Sequence, residues 1–293
     1  MKLQKPEKIL IISRVPELYS NQRLVQELKH KNLLSQIIPP ESEMLKEATK
    51  ESQKTPIAAL IRLASWRFQE ALETLKIWRD KVPKIKLMNS VEAVEFSRNK
   101  WHSLQALEKN LISTPLTQLI SRQELSLIDL PFPFVLKELF SSQGLGVHLI
   151  QNLKDLQSAL EIWQGSDLFI AHSYIKECHG EDLRIFVTTK GDHWSMIRKN
   201  SSGDFRSNIR QGGKGFKDTP SREELEMAFR TLKLFDLDYA GVDILRSVKG
   251  PLMMDVNPSP GFESLEGLYG PQVAGPLIDL LLRARGPHRA GSR

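Results

Sequence analysis

Two apolar segments near the end of the chain carry acidic and amide side chains in their interiors. AGVDILRS contains Asp243, and GPLMMDVN contains Asp255 and Asn257. Because side chains alternate across a strand, Asp255 and Asn257 lie on the same face while Val256 lies on the other. An apolar strand does not bury two oxygen ligands side by side without a partner for them. The pattern therefore predicts two neighbouring strands and a Mg²⁺ site, although an Asp and an Asn that cap the turn NPSPG are an equally open interpretation.

A second segment, PFVLKELFSSQGLGV, predicts a strand that carries Lys137 and a small polar loop over residues 141–146. A lysine on a strand next to such a loop is an arrangement that proteins use to hold phosphate. The ammonium supplies positive charge, and the glycines allow the backbone N–H groups to approach the phosphate closely. The candidate loop contacts are Ser141, Gly144 and Gly146. The spacing is not that of a Walker sequence, and an ordinary hairpin turn explains the same glycines.

Length and composition are typical of an enzyme that handles anionic ligands. The chain has 293 residues, which favours two domains, and a formal net charge of +6. No apolar run is long enough to span a bilayer, and no secretory pattern or nucleic-acid motif is present. The single cysteine, Cys178, forms no internal disulfide. We therefore expect a cytoplasmic protein that binds neither membrane nor nucleic acid.

Periodicity predicts an open α/β domain over residues 1–90. KILIIS predicts a first strand, Ser20 is the expected N-cap of a helix that reaches Lys31, and IAALIRLASWRFQEALETLKIW has helical spacing through much of its length. From Ser90, the expected cap of the next helix, the pattern changes to two short helices followed by strands. LRIFVTT and HWSMIRK alternate as strands joined by a tight turn, and Ser221 with Glu224 has the spacing of a capping box at the start of a helix. We assign residues 91–285 to a second domain and expect residues 286–293 to form a disordered tail.

The segment GDFRSNIRQGGKG is rich in hydrogen-bond donors and has little to bury. It contains Arg206, Ser207 and Asn208. One interpretation is a long exposed hairpin connection. The other is that Arg206 and Asn208 present donors to the oxygens of a transferring phosphoryl group or an acyl phosphate, where developing charge needs donors already in place.

Seven segments carry a resemblance to a known family. In chain order they are SRVPELYSNQRLV, MNSVEAVEFSRNKWHSLQAL, PFVLKELFSSQGLGV, YIKECHGEDLRIFV, GDFRSN, AGVDILRS and MDVNPSPGFESLEG. Together they resemble the RimK-type branch of the ATP-grasp superfamily. The resemblance implies an N-terminal Rossmann-like α/β domain and a two-lobed α+β ATP-grasp domain, with a central lobe over residues 91–170 and a C-terminal lobe over 171–285. It also implies an ATP-dependent carboxylate–amine ligase that adds L-glutamate to a protein, peptide or small-molecule carboxylate through an acyl phosphate.

The resemblance assigns roles to individual residues. Lys100 and Lys137 match the lysines that reach the nucleotide phosphates, although a solvated surface lysine is the alternative for Lys100. Ser173 and Tyr174 fall where adenine docks, and Asp182 falls near the ribose. Arg206, Ser207 and Asn208 match the donor loop. The remaining match is to the ligands of two Mg²⁺ or Mn²⁺ ions: Asp243, Asp255 and Asn257.

The chain departs from the family pattern at two of these positions. Asp255 stands where a glutamate is usual, so its carboxylate falls short by one methylene. Ser173 replaces a common glutamate. The segment 39–83, where the acceptor is expected to bind, matches poorly, so the acceptor stays open. The alternatives are a ligase that uses a different amino acid or acceptor, and a nucleotide-binding regulator without activity. Because many members of the family form tetramers, the resemblance also allows a homo-oligomer.

Overall fold

The structure is a computed structural model, and it describes residues 8–43, 45, 56–64, 66–82, 85–139, 146–163, 167–209 and 212–283. The predicted loop contacts Ser141 and Gly144 and the predicted tail 286–293 lie outside these residues. The described residues contain three sheets, one parallel and two antiparallel. Among them, no helix combines the length and the apolar character that crossing a bilayer requires.

The first sheet is open and parallel, as the sequence predicts. Its strands stand in the order β2-β1-β3-β4. They are β1 (Lys8–Ile12), β2 (Leu34–Ile38), β3 (Ala58–Ile61) and β4 (Lys86–Met88), with α1 (Tyr19–His30) and α2 (Phe68–Lys81) between them. The helical spacing expected from Ile57 is wrong for AALI, which forms β3. All four of its side chains are buried, and a short run buried on both faces has no periodicity that separates a strand from a helix.

The predicted N-cap of the first helix is also wrong. Helix α1 begins at Tyr19, so Ser20 lies inside it. The Ser20 hydroxyl instead accepts a hydrogen bond from the backbone N–H of Phe262, at 3.1 Å. A distant segment of the chain therefore uses the oxygen that local sequence assigned to the helix end.

Two short helices lead from the first sheet to the second. Helix α3 (Val91–Arg98) is capped by Ser90, as expected, and α4 (Lys100–Lys109) begins at Lys100. The second sheet has the strand order β5-β8-β6-β7 and is antiparallel. Its strands are β5 (Thr117–Ser121), β6 (Phe134–Glu138), β7 (Val147–Ile150) and β8 (Leu168–Ser173), and α5 (Leu153–Ile162) packs on one face.

The third sheet is antiparallel, with the strand order β11-β10-β9-β12-β13. Its strands are β9 (Glu181–Thr188), β10 (His193–Lys199), β11 (Lys214–Lys217), β12 (Tyr239–Ser247) and β13 (Gly250–Asn257). The remaining helices of this part of the chain are α6 (Arg222–Leu234), α7 (Glu263–Tyr269) and α8 (Ala274–Arg283). Helix α6 carries the predicted capping box of Ser221 and Glu224.

The two faces of the third sheet bury different partners. Leu183, Ile185 and Val187 pack on one face against α6 and α4. On the other face, Phe186 and Tyr239 join a core shared with the first sheet and with α8. This second face is apolar at one end only, and its other end holds the charged groups described next.

Candidate functional site

Strands β12 and β13 bring two carboxylates together. Asp243 pairs directly with Asp255, and Asn257 pairs with Gly241 two residues along the same face. A register shift after this pair leaves Met254 without a direct partner on β12. Like charges directly opposite each other destabilise an antiparallel pair, so this arrangement needs cations nearby.

Two arginines supply positive charge to Asp243. Arg184 donates two hydrogen bonds to its oxygens, both at 2.6 Å, and Arg198 lies 3.0 Å away. Burial alone would raise the pKa of Asp243, but Arg184 and Arg198 outweigh it and hold the pKa at about 2. Asp243 is therefore ionised at neutral pH.

Arg198 also connects Asp243 to Asp182. Its guanidinium is buried and donates from Nε to Asp182 Oδ1 at 2.7 Å. Two arginines and two aspartates thus form one continuous buried network of balanced charge. The resemblance assigns Asp182 to the ribose. The structure places its carboxylate on Arg198, so the ribose contact stays a prediction.

Asp255 faces a cleft that two lysines share. Lys100, at the start of α4, places its Nζ 3.9 Å from Asp255 Oδ1, and Lys137 of β6 lines the same cleft with Leu104 and Met254. The Lys137 side chain is 4% exposed. Burial, reinforced by the charge of Lys100, lowers the pKa of Lys137 to about 7, and Asp255 opposes this only in part. The structure therefore brings together both predicted phosphate lysines and the exposed predicted metal ligand.

The donor loop is fixed at the end of β10. Asn200 donates to the Arg206 carbonyl at 2.9 Å, and the Gly180 N–H donates to the Phe205 carbonyl at 3.0 Å. The Arg206 guanidinium forms an ion pair with Asp204, at 2.6 Å from Nη2. Burial and, to a smaller extent, the charge of Arg206 lower the pKa of His148 on β7. No contact that the structure gives joins Arg206 to Asp255.

Ser207 and Asn208 form the tight part of this loop. Ser207 is buried, and the Asn208 carbonyl accepts from the Gly213 N–H at 3.1 Å. A Cβ at Gly213 would stand 2.0 Å from the Ser207 carbonyl oxygen. Glycine at 213 is thus what lets the loop close on itself, which is more order than an exposed hairpin connection requires.

The predicted adenine segment lies at the end of β8. The Ser173 N–H donates to the Leu116 carbonyl at 2.8 Å, and the Tyr174 hydroxyl shares a hydrogen bond with His179 Nδ1. Gly146, the described part of the phosphate loop, has φ of +65°, and its carbonyl accepts from the Glu138 N–H at 3.2 Å. Their nucleotide contacts stay predictions.

His172 was not singled out from the sequence. It pairs with Val135 on the face that also carries Lys137. The Thr117 hydroxyl donates its one proton to the Pro115 carbonyl, at 2.7 Å. The hydroxyl oxygen also lies 2.7 Å from His172 Nδ1. Because the hydroxyl proton is already used, Nδ1 is the donor in this second hydrogen bond. Nε2 is then an unprotonated and buried acceptor, to which no group of the described residues donates a hydrogen bond. Burial, with Lys137 and Lys100 nearby, keeps the pKa of His172 well below its usual range.

Arg184 and Arg198 were also missed by the sequence reasoning. One signal was present, because Asp182 and Arg184 alternate on one face of an otherwise apolar strand. Arg198 carried no such signal, since it ends a strand in a basic stretch. Only the pairing of β10 with β9 places it opposite Asp182.

The donor set suits divalent cations. Among the described residues, no cluster of three or more His, Cys, Asp or Glu side chains could hold a metal ion. The predicted set instead combines two carboxylates with the amide of Asn257, whose Oδ1 accepts from the Ser259 N–H at 2.9 Å and keeps a second lone pair. Hard oxygen donors beside lysines match Mg²⁺ that is shared with phosphates. Asp255 and Asn257 therefore fit the predicted ions, whereas both oxygens of Asp243 already accept hydrogen bonds from arginines.

Comparison with known proteins decides the family. The family model of the RimK-like ATP-grasp domain matches residues 97–281. The Probable alpha-L-glutamate ligase 1 of Shewanella amazonensis is 33% identical over 98% of this chain and 99% of its own length. The chain belongs to the RimK-like ATP-grasp family. As a member of this family, it is an ATP-dependent carboxylate–amine ligase, an enzyme that forms C–N bonds.

Solved structures agree on the ATP-grasp fold. The D-alanine–D-alanine ligase of Bacillus anthracis, solved with ATP, aligns with a TM-score of 0.73 at 18% identity, over 95% of this chain and 96% of its own. A RimK domain ATP-grasp protein of Sphaerobacter thermophilus aligns with a TM-score of 0.70 at 17% identity, over 94% and 99%. The predicted fold class is confirmed, while the domain bounds at 90 and 285 stay predictions.

Proposed function

We propose that the enzyme joins the amino group of L-glutamate to a carboxylate of a protein or peptide, through an acyl phosphate. The observation that carries the proposal is the cleft of Lys100, Lys137 and Asp255, in which buried positive charge lies beside an exposed carboxylate. The name of the Shewanella amazonensis relative supports glutamate as the substrate. The converging lysines argue against a regulator that has lost its activity.

The phosphates of ATP would bind between the second and third sheets. Lys100 and Lys137 neutralise phosphate charge, and Lys137 does so in a water-poor position where each charge interaction is stronger. Asp243, Asp255 and Asn257 would hold two Mg²⁺ or Mn²⁺ ions. Ions held by these residues would supply positive charge that offsets the charge developing during phosphoryl transfer.

The acceptor carboxylate would be activated near the donor loop. Arg206 and Asn208 donate hydrogen bonds to its oxygens as the acyl phosphate forms, and the glutamate amine then attacks its carbonyl carbon. The C–N bond forms as the C–O bond to phosphate breaks, and phosphate leaves while the ammonium proton passes to solvent. Such groups act by alignment and charge, without a covalent bond to the protein.

Release of ADP tests this proposal. Purified enzyme with ATP and Mg²⁺ is incubated with each of the common amino acids, alone and with candidate protein or peptide acceptors. We expect the fastest ADP release with L-glutamate plus acceptor, and a matching mass increase of the acceptor. D-glutamate and L-aspartate are the matched controls for stereochemistry and chain length.

The outcomes separate the alternatives. Faster turnover with another amino acid across all acceptors would reject glutamate but leave the ligase class intact. ADP release that needs neither amine nor acceptor would reject coupling of the two substrates. Tight ATP binding without any product, across the full panel, would favour a nucleotide-binding regulator.

A further inference from the structure

The turn that follows the predicted metal ligands rests on the first sheet. We call residues 258–262, which come directly after Asn257, the PSPGF turn. It contacts residues that follow the strands of that sheet. In open parallel sheets, small ligands usually bind outside the carboxyl ends of the strands, where the strand order reverses. Here the order β2-β1-β3-β4 reverses between β1 and β3, and the enzyme's own PSPGF turn lies at that edge.

Asn89, the residue after β4, makes its full set of amide hydrogen bonds to this region. Its side chain is 0% exposed. Nδ2 donates to the carbonyls of Pro258 at 2.8 Å and Tyr239 at 2.9 Å, while Oδ1 accepts from the N–H groups of Asp238 at 2.6 Å and Tyr239 at 3.2 Å. One side chain therefore fixes the start of β12 relative to the end of β13, the two strands that carry the predicted metal ligands.

Arg62, the residue after β3, holds the same turn from a second point. Its guanidinium donates to the Pro260 carbonyl at 3.0 Å and to Asn21 Oδ1 at 2.9 Å. Asn21 is itself held by Ser13, the residue after β1, at 3.0 Å. Arg62 is 6% exposed, and among the described residues its hydrogen-bond acceptors are an amide oxygen and a backbone carbonyl. A buried arginine that binds carbonyl oxygens contributes geometry more than charge neutralisation.

Two hydrogen bonds between serine hydroxyls and backbone groups also attach the PSPGF turn to the first sheet and α1. The Ser259 hydroxyl donates to the Ile61 carbonyl at 3.2 Å, and the Phe262 N–H donates to the Ser20 hydroxyl at 3.1 Å. The Pro258 carbonyl that Asn89 binds is one residue from Asn257 and three from Asp255. A shift of this carbonyl is therefore passed directly to the predicted ligands.

We propose that Asn89 and Arg62 are positioning residues of the ligase, which set the affinity for divalent ions by fixing the PSPGF turn. This inference rests on the proposed metal role of Asp255 and Asn257. It assigns the first sheet a part in phosphoryl transfer, since a ligand set must be held to within about 0.5 Å to work.

The test measures binding of a non-hydrolysable ATP analogue by calorimetry, with and without Mg²⁺. Asn89→Asp keeps the size of the side chain but turns an oxygen toward the Pro258 carbonyl. We expect it to weaken the Mg²⁺-dependent part of binding by about tenfold, the effect of one misplaced hydrogen-bonded contact, and to leave metal-free binding unchanged. Hydrogen exchange at Gly261 and Phe262 should quicken in the metal-free protein.

Two further variants separate positioning from stability. Arg62→Lys keeps the charge but loses the planar fork, and we expect the same loss in milder form. It also provides the measurement if Asn89→Asp does not fold. Leu72→Ala, in α2 on the far side of the first sheet, is a control that destabilises the same unit without touching the turn.

The results have distinct meanings. Normal Mg²⁺ dependence in both Asn89→Asp and Arg62→Lys, with a lowered melting temperature, would overturn the inference. So would an equal loss in Leu72→Ala. If the unaltered enzyme binds the analogue equally with and without Mg²⁺, the proposed metal site fails, and the inference fails with it.

Discussion

Lys137 combines full burial with a positive charge that has no close carboxylate partner among the described residues. Its pKa of about 7, set by burial and then by Lys100, means that it is mostly neutral in the nucleotide-free enzyme at pH 8. A bound phosphate stabilises the ammonium and raises this pKa again. Nucleotide binding therefore couples to proton uptake at Lys137.

We expect calorimetric heats of ATP binding at pH 8 to depend on the ionisation enthalpy of the buffer, with an uptake that approaches one proton. Affinity should fall as the pH rises above about 7, because the neutral lysine must then be recharged. Lys137→Arg, which stays protonated, should abolish the uptake. Heats that are identical in phosphate and Tris buffers would contradict the assignment.

Asp255 is the predicted metal ligand that is most open to the cleft, at 41% exposure of its side chain. Asp255→Asn keeps an oxygen donor but removes the charge that a divalent ion requires. We expect turnover to fall by about 10²-fold or more, and nucleotide affinity to fall only when Mg²⁺ is present. Asp279→Asn, in an ion pair on α8, serves as the control. An equal loss of affinity without Mg²⁺ would contradict the metal assignment.

At the residue scale, sequence reasoning proposed candidates where a residue type implies its own chemistry. The structure places Lys100, Lys137 and Asp255 in one cleft, and their roles toward phosphate and metal stay predictions. Arg198 and Asn89 could not be found in this way. Their roles arise from pairing across strands and between sheets, and no local pattern contains the distance from Asn89 to Pro258.

At the element scale, the third sheet depends on its buried charge network. Arg198 touches both Asp182 and Asp243, so removing it leaves two carboxylates under-compensated in the interior. The network lowers the pKa of Asp243 below that of the unfolded chain. Its stabilisation is therefore complete above pH of about 4 and is lost as the pH falls toward 2.

We expect Arg198→Met to lower the free energy of unfolding by about 3–5 kcal/mol in urea at pH 7. Its acid unfolding should begin at higher pH than in the unaltered enzyme, because Asp243 then protonates more easily. Arg222→Met removes an exposed pair with Glu226 and should change stability by less than about 1 kcal/mol. Similar unfolding curves for both variants would contradict the network.

Strands and helices were predicted well wherever their signals are local. The capping box at Ser221 and the hairpin of β9 and β10 form as expected. AALI was misjudged because its burial on both faces is a property of the assembled sheet. Ser20 was misjudged because Phe262, far along the chain, takes its hydroxyl.

At the scale of the whole molecule, α8 completes the first sheet. Leu277 and Leu281 are fully buried in the core that also contains Ile9, Ile11 and Leu60. The unit that begins the chain is therefore closed by a helix more than 200 residues later in the sequence. The predicted domain boundary at residue 90 would assign α8 to the second domain, although α8 forms part of the hydrophobic core of the first sheet.

We expect Leu277→Ala and Leu281→Ala each to cost about 2–5 kcal/mol of unfolding free energy. Amide exchange in β1 and β3 should quicken more than in the far strand β11. Leu282→Ala, on the exposed side of the same helix, should have little effect. Faster exchange confined to the third sheet would contradict this account of the core.

The position of α8 also bears on how the protein is made. A ribosome delivers the chain from its first residue, and domains that are locally complete fold as they emerge. Here β1, β3 and α1 are synthesised long before α8, which covers part of their apolar surface. That part of the apolar surface therefore stays uncovered during translation until α8 has been synthesised.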